Sequence, residues 1–137
     1  MSASRIGLDP EFAKKLNLFE KKLADCGIRV VLTWGYRSIE SQNQLYAKGR
    51  TAPGSIVTNA RGGYSWHNFG LAADYAFVIN GKVTWDGPWA LFGKMARQCG
   101  LEWGGDWKKF TDRPHVQWTR GKTLAQMRAA ARKSPGK

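Results

Sequence analysis

The chain contains two histidines only, and the residues around them limit what it can fold into. His67 stands in Ser65-Trp66-His67-Asn68-Phe69-Gly70-Leu71-Ala72-Ala73-Asp74, and His115 in Asp112-Arg113-Pro114-His115-Val116-Gln117-Trp118. The first segment offers an imidazole with a carboxylate seven residues on; the second offers an imidazole with a carboxylate three residues earlier. Brought together, they make a 2-His-1-carboxylate ligand set with one acid to spare. Zinc accepts imidazole nitrogen and carboxylate oxygen, and a catalytic zinc site uses three protein ligands and one open position. The spare carboxylate is what an attacking water needs as general base. Either histidine alone is better explained as a satisfied core residue near a capping Asp. The two motifs together point to a zinc hydrolase, with His67, Asp74 and His115 as ligands.

Length and composition bound the rest. A chain of 137 residues suits one domain with one core, and 42% hydrophobic residues with seven tryptophans supply that core. No apolar run approaches the ~20 residues of a membrane helix. The first ten residues lack the hydrophobic stretch of a secretory leader, so the expectation is another route out of the cytoplasm. Cys26 and Cys99 each precede a glycine at an expected helix end. Their spacing is neither CxxC nor a disulfide framework. Two small buried thiols are expected, with a bridge between them as the alternative.

The net charge is +12, and it is unevenly placed. After Trp118 come Arg120, Lys122, Arg128, Arg132, Lys133 and Lys137, with no acidic residue. Such a surface favours polyanions: nucleic acid, anionic lipid, lipopolysaccharide or wall polymers.

Local patterns predict an α+β domain. Asp9-Pro10-Glu11 opens a helix, Phe12, Leu16, Phe19 and Leu23 recur at helical spacing, and Gly27 ends it. Ile28 to Trp34 is β-branched and reads as a strand. Ser38 caps a second helix to about Lys48. The stretch from Arg50 to Gly63 is a long loop, which in a compact domain is usually functional. Ala72 to Ile79 and Lys82 to Trp85 form a hairpin about Asn80-Gly81. A third helix runs from Trp89 to about Cys99. Short strands follow at Leu101–Trp103 and His115–Trp118, and a last helix runs from Thr123 to about Arg132. In that helix Leu124, Met127 and Ala131 are expected to face the domain while the basic residues face out.

Two more side chains carry chemistry in this pattern. Asp112 lies near His115 without being forced into the ligand set, so it can act as base; otherwise it is a loop Asp paired to Arg113 or Lys109. Arg37 follows a strand, where its planar fork can fix a carboxylate or an oxyanion. The residue pattern by itself leaves it a surface arginine.

At this point the segments match a known family. Tyr36-Arg37-Ser38, Gln42-Asn43-Gln44-Leu45-Tyr46-Ala47-x-Gly49-Arg50, Ser65-x-His67-x-x-Gly70-x-Ala72-x-Asp74, Trp103-Gly104-Gly105-Asp106-Trp107 and Asp112-x-Pro114-His115 resemble the L-alanyl-D-glutamate endopeptidases. These are phage endolysins and wall hydrolases of the D-Ala-D-Ala carboxypeptidase (VanY-like) zinc superfamily. The resemblance covers about residues 12 to 118. It implies an α+β hedgehog/DD-peptidase-like fold, a small antiparallel sheet flanked by helices, with one Zn²⁺ held by His67, Asp74 and His115. It implies Asp112 as catalytic base, Arg37 steadying substrate and oxyanion, and Ser65 as a substrate contact. Many superfamily members have Glu at the base position; Asp is usual in this branch.

The resulting expectation is a monomeric zinc endopeptidase, residues 1–118, with a basic helical tail, residues 119–137. It would cut the L-Ala–D-Glu amide of the peptidoglycan stem peptide during host lysis. It would be made in the host cytoplasm, be released through a holin and act in the periplasm and cell wall, its tail touching anionic envelope components. Rival readings are a D-Ala-D-Ala carboxypeptidase or dipeptidase on the same fold, a catalytically dead wall-binding protein, and a basic nucleic-acid-binding module. The last leaves both His motifs unexplained, so no specific nucleic acid is expected as partner.

Overall fold

The computed structural model describes residues 3–133. Lys137, counted above in the basic tail, lies outside the described residues, as do Met1, Ser2 and residues 134–136.

Helix α1 (Pro10–Asp25) begins where its cap chemistry dictates. The Asp9 carboxylate accepts the backbone N–H groups of Glu11 and Phe12, both at 3.0 Å, satisfying donors that have no partner within the helix. Phe12, Leu16, Phe19 and Leu23 are fully buried. The helix ends on Gly27 at φ 78°, with Gly27 N–H bonded to Ala24 and Ile28 N–H to Leu23. That paired closure needs a left-handed residue. It also keeps Ile28 in the helix terminus, so strand β1 covers Val30–Trp34 and starts two residues later than its β-branched run suggests.

Helix α2 (Ile39–Ala47) is capped by Ser38. A 3-10 turn at Trp66–Phe69 leads to β2 (Ala72–Ile79), then β3 (Lys82–Thr84), α3 (Trp89–Gln98), β4 (Glu102–Trp103), a second 3-10 turn at Gly104–Asp106, β5 (His115–Gln117) and α4 (Leu124–Lys133). Asn80 and Gly81 both take positive φ, 54° and 76°, as a tight hairpin between right-twisting strands requires.

The sheet order is β1-β2-β5-β4, with β3 also paired to β2; every pairing is antiparallel. Phe77 pairs with both β1 and β3, and Asp74 with both β1 and β5. One edge of β2 therefore holds β1, and the other is shared end to end by β5 and β3. Side chains alternate across a strand, so Ala73, Tyr75 and Phe77 join Leu32 and Val116 in the core, while Asp74, His115 and Gln117 take the opposite face. Phe92 of α3 has the rings of Phe19, Trp89 and Phe77 at 5.0, 5.1 and 6.0 Å. The buried Tyr75 hydroxyl donates to Glu20, which also pairs with Arg5. Burial, reinforced by the Glu20 charge, keeps the phenol protonated.

Three expectations are corrected. Tryptophan supplies the margin of the core more than its centre: among the seven only Trp89 is buried, while Trp34 and Trp85 are exposed. Phe, Leu, Ala and Tyr make up most of the core, and Trp66, Trp103 and Trp118 are partly buried and pack against its margin. Both cysteines are free, and only Cys99 is buried; Cys26 is exposed because it caps α1 on the solvent side. Finally, α4 does not send all its charge outward. Met127 packs on the core and Leu124 is half-buried, but Ala131 is exposed. Arg128 lies on the docked side, its Nη1 donating to Gly63 O at 3.2 Å and its guanidinium 3.8 Å from the Tyr64 ring centre. A guanidinium over an aromatic face is stabilised by the ring quadrupole, which suits it to that position better than a methyl group.

The aromatic cluster predicts a specific cost. Phe92→Ala should lower unfolding free energy by about 3–5 kcal/mol, read from denaturant unfolding; a change below ~1 kcal/mol would mean that the core is not built around that ring.

Candidate metal centre and its cleft

The centre is built on strand register. Asp74 is paired directly opposite His115, so their side chains leave the same face of the sheet as neighbours. His67 arrives from the 3-10 turn just before β2. Ser65 caps that turn, its Oγ accepting the His67 N–H at 3.2 Å, and Gly70 closes it at φ 70°. A Cβ on Gly70 would stand 2.3 Å from Gly7 O, so only glycine lets the turn pack under the start of α1.

His67 Nε2 lies 3.4 Å from Asp74 Oδ2, and His115 Nδ1 lies 3.1 Å from Asp74 Oδ1. One ligand atom from each of the three residues lies within 4.8 Å of the others, and the two imidazoles are buried. The outer nitrogens are both engaged: His67 Nδ1 meets Gly35 O at 2.7 Å, and His115 Nε2 meets Gln117 Oε1 at 2.7 Å. Oxygens can only accept there, so the outer nitrogens carry the hydrogens and the inner nitrogens present lone pairs. Two imidazole lone pairs and a carboxylate converging on one point need a cation between them. This donor set fits Zn²⁺, in which the ligand histidines are normally oriented by acceptors on their far nitrogens. Burial alone would raise the Asp74 carboxyl, but the hydrogen bonds of His115 and His67 outweigh it and hold it well below the usual range. Burial would lower His115, but Asp74 outweighs it and raises it.

Asp112 stands beside this group, its Oδ2 3.8 Å from His115 Nδ1 and its side chain half-exposed. Burial, aided by the Asp74 charge, raises its carboxyl. Among the described residues it makes no ion pair with Arg113 or Lys109, and the charges that act on it are those of Asp74, His115 and His67. The Trp103-Gly104-Gly105-Asp106-Trp107 segment positions it. Gly104 O accepts Asp112 N–H at 3.0 Å, and a Cβ on Gly104 would stand 2.2 Å from Asp112 O. A Cβ on Gly105 would strike the Trp103 ring. Asp106 is held by Arg97 at 2.9 Å, and Trp107 packs on the His115 ring, 5.2 Å between centres.

The cleft over the centre has a volume of ≈ 880 Å³, with Arg37, Ser65 and Asp112 in its lining and aromatic walls from Trp34, Tyr64 and Trp107. Arg37 is no free surface residue. Its Nη1 donates to Gln42 Oε1 at 2.7 Å, its guanidinium stacks 4.5 Å from the Trp34 ring, and its backbone N–H bonds to His67 O. Burial lowers its pKa, partly offset by Asp74, yet guanidinium stays charged. Its Nε is buried and has no hydrogen-bond partner among the described residues.

Sequence reasoning missed several supports. Gln42, fully buried in α2, donates to Ala60 O at 2.6 Å and ties the long loop to Arg37. Asn68 bonds Arg37 O at 2.8 Å and Gly63 N–H at 3.0 Å. Gln117 could have been found, since two residues beyond His115 in a strand means the same face. Glu102, across the sheet from Gln117, left no signal without the β4–β5 register.

The family described as D-alanyl-D-alanine carboxypeptidase matches residues 58–118, a stretch holding His67, Asp74, Asp112 and His115. The chain is 41% identical over 121 residues to the peptidoglycan L-alanyl-D-glutamate endopeptidase CwlK of Bacillus subtilis, spanning 80% of this chain and 72% of that protein. It is 30% identical over 96 residues to the L-alanyl-D-glutamate peptidase of Listeria phage A118, spanning 67% of this chain but 31% of that one. Among solved structures, the L-Ala–D-Glu endopeptidase ChiX of Serratia marcescens shares the fold, with TM-score 0.59 and 24% identity over 96% of this chain and 87% of that one. Fold and donor set together define a zinc metallopeptidase that hydrolyses peptidoglycan. The chain belongs to the D-alanyl-D-alanine carboxypeptidase family, among its L-alanyl-D-glutamate endopeptidases.

Metal binding and the part played by Asp112 separate by experiment. Asp112→Ala should keep the fold and near-full zinc occupancy yet lose about 10²–10⁴ in rate; His115→Ala should lose zinc. Metal analysis and turnover on the purified variants decide it, and near-normal turnover in Asp112→Ala would remove that residue from catalysis.

Proposed function

We propose that the protein hydrolyses the L-Ala–D-Glu amide of the peptidoglycan stem peptide, with Asp112 as general base, Arg37 as oxyanion and substrate anchor, and Ser65 as a substrate contact at the cleft wall. The observation that carries this reading is the Asp112 carboxylate, 3.8 Å from His115 Nδ1, beside a three-ligand cluster on the floor of an open cleft. His67, Asp74 and His115 would hold Zn²⁺, which when bound would supply Lewis acidity towards a carbonyl and a bound water, whose pKa such sites bring to ~7. Asp112 takes the proton from the attacking water. It then delivers that proton to the departing amine nitrogen, so that the acid and base roles fall to one carboxylate in sequence. Arg37, charged and pinned by Gln42 and Trp34, places its guanidinium where negative charge collects, and it has no reorganisation to undergo as the oxyanion forms. Ser65 spends its hydroxyl oxygen on the His67 N–H but can still donate its proton into the cleft.

The bond assignment is supported by the two relatives of that specificity. The family description itself names D-alanyl-D-alanine carboxypeptidase, which keeps release of terminal D-Ala as the second reading. Digestion of purified peptidoglycan with and without a chelator distinguishes them. New N-terminal D-Glu, abolished by chelator, is the expected product; released D-Ala in its place would assign the second reading.

We also assign the protein to host lysis: synthesis in a host cytoplasm, release through a holin, and action in the periplasm and wall. A phage relative supports this, as does the basic segment at residues 119–137, read as a tail that follows the catalytic part at 1–118. Arg128 is engaged with Gly63 and Tyr64, so the envelope-facing charge falls to exposed residues such as Lys122 and Arg132. Attraction to anionic lipid is worth ~1 kcal/mol per basic residue near the surface. Lys122→Gln with Arg132→Gln should leave hydrolysis of soluble stem-peptide fragments intact while lowering lysis of whole cells with an anionic envelope at low salt. Unchanged lysis would remove the envelope role.

A further inference from the structure

Behind His115 lies a hydrogen-bonded chain that plays no part in the mechanism above. His115 Nε2 meets Gln117 Oε1 at 2.7 Å, and Gln117 Nε2 donates to Glu102 Oε2 at 3.0 Å. The same Glu102 oxygen accepts Trp107 Nε1–H at 3.0 Å, and the Trp107 ring packs on His115. Histidine and glutamine are each ambiguous alone: an imidazole nitrogen donates or accepts, and an amide can turn end for end. The ionised carboxylate of Glu102 is not ambiguous, because it only accepts.

We propose that Glu102 is a positioning residue that fixes, through Gln117, which nitrogen His115 offers to the metal. The carboxylate requires the Gln117 NH₂ to face it. The Gln117 carbonyl then faces His115 and requires hydrogen on Nε2, which leaves the Nδ1 lone pair on the side of Asp74. A charge on an exposed strand residue thereby sets the tautomer of a buried ligand two hydrogen bonds away. Trp107 holds the Glu102 oxygen in place and blocks rotation of the His115 ring. The inference rests on His115 as a ligand and not on which peptide bond is cleaved.

Glu102→Gln is nearly isosteric and tests it. The new amide can donate or accept, so Gln117 is free to turn and the Nε2 hydrogen loses its enforced acceptor. Losing such an outer partner typically weakens metal binding by about 10–100-fold. Zinc affinity, measured by chelator competition on the full-length chain, should fall in that range in Glu102→Gln and in Gln117→Leu. Because Glu102 acts through Gln117, the double variant should bind no more weakly than Gln117→Leu alone. In the zinc-loaded wild type, ¹⁵N spectra should show His115 metallated at Nδ1 and protonated at Nε2. Glu102 is exposed, so the melting temperature of metal-free Glu102→Gln should match wild type; a merely structural role would lower it and leave zinc affinity alone. Zinc affinity within threefold of wild type in Glu102→Gln, losses that multiply in the double variant, or metallation at Nε2 would each overturn the proposal. A wild type that binds no zinc would overturn the metal centre itself, whereas D-Ala release in the peptidoglycan digest would change only the bond assignment.

Discussion

The pairing of Asp74 with His115 across β2 and β5 is the contact on which the rest of the structure depends. Residues far apart in sequence become cross-strand neighbours, and the alternation of side chains decides which face they share. A slip of one residue would turn Asp74 into the core and bring Ala73 or Tyr75 out to the cleft. The core prevents this: Tyr75 and Phe77 fit among Phe19, Phe92 and Trp89 only in the observed register. The apolar packing on one face thus fixes the ligand geometry on the other.

The converging donors also explain why so much polar structure surrounds the site. Two imidazoles and a carboxylate with inward lone pairs repel one another until a cation or proton intervenes. Each must therefore be held from behind. Gly35 O holds His67 and Gln117 holds His115, while Ser65 and Gly70 shape the turn that delivers His67. The same economy recurs at Arg37, which Gln42 and Trp34 fix on one side of the cleft. The long loop before Tyr64 is tied at several points, by Gln42 at Ala60, by Asn43 at Gly62 and by Arg128 at Gly63. It forms a supported wall over the metal centre, and the last helix contributes to it directly.

Much of this was legible in the residues. Caps marked the starts of α1 and α2 and a glycine the end of α1, because Asp9, Ser38 and Gly27 act within a few residues of where they stand. The bounds of β2 and its Asn80-Gly81 turn were legible for the same reason. The three donors of the metal centre could be named because few residue types bind zinc and the chain has two histidines. The placement of tryptophan was misread: hydrophobicity says what a ring gains from burial, but not whether the fold leaves room for it inside. Ala131 and Arg128 were misread likewise, since helical spacing defines a face but not the surface it meets.

The sequence by itself determined the local elements, the donor chemistry and the number of ligands, all of which depend on residue identity and short spacing. Tertiary structure alone decided which nitrogen of each histidine faces inward towards Asp74, and that Arg37 is a half-buried, pinned cation beside the cleft. It alone placed Glu102 behind Gln117 and Arg128 against Tyr64. Those facts rest on contacts between residues distant in the chain, and a hydrogen bond's direction is fixed only when both partners and their own neighbours are in place.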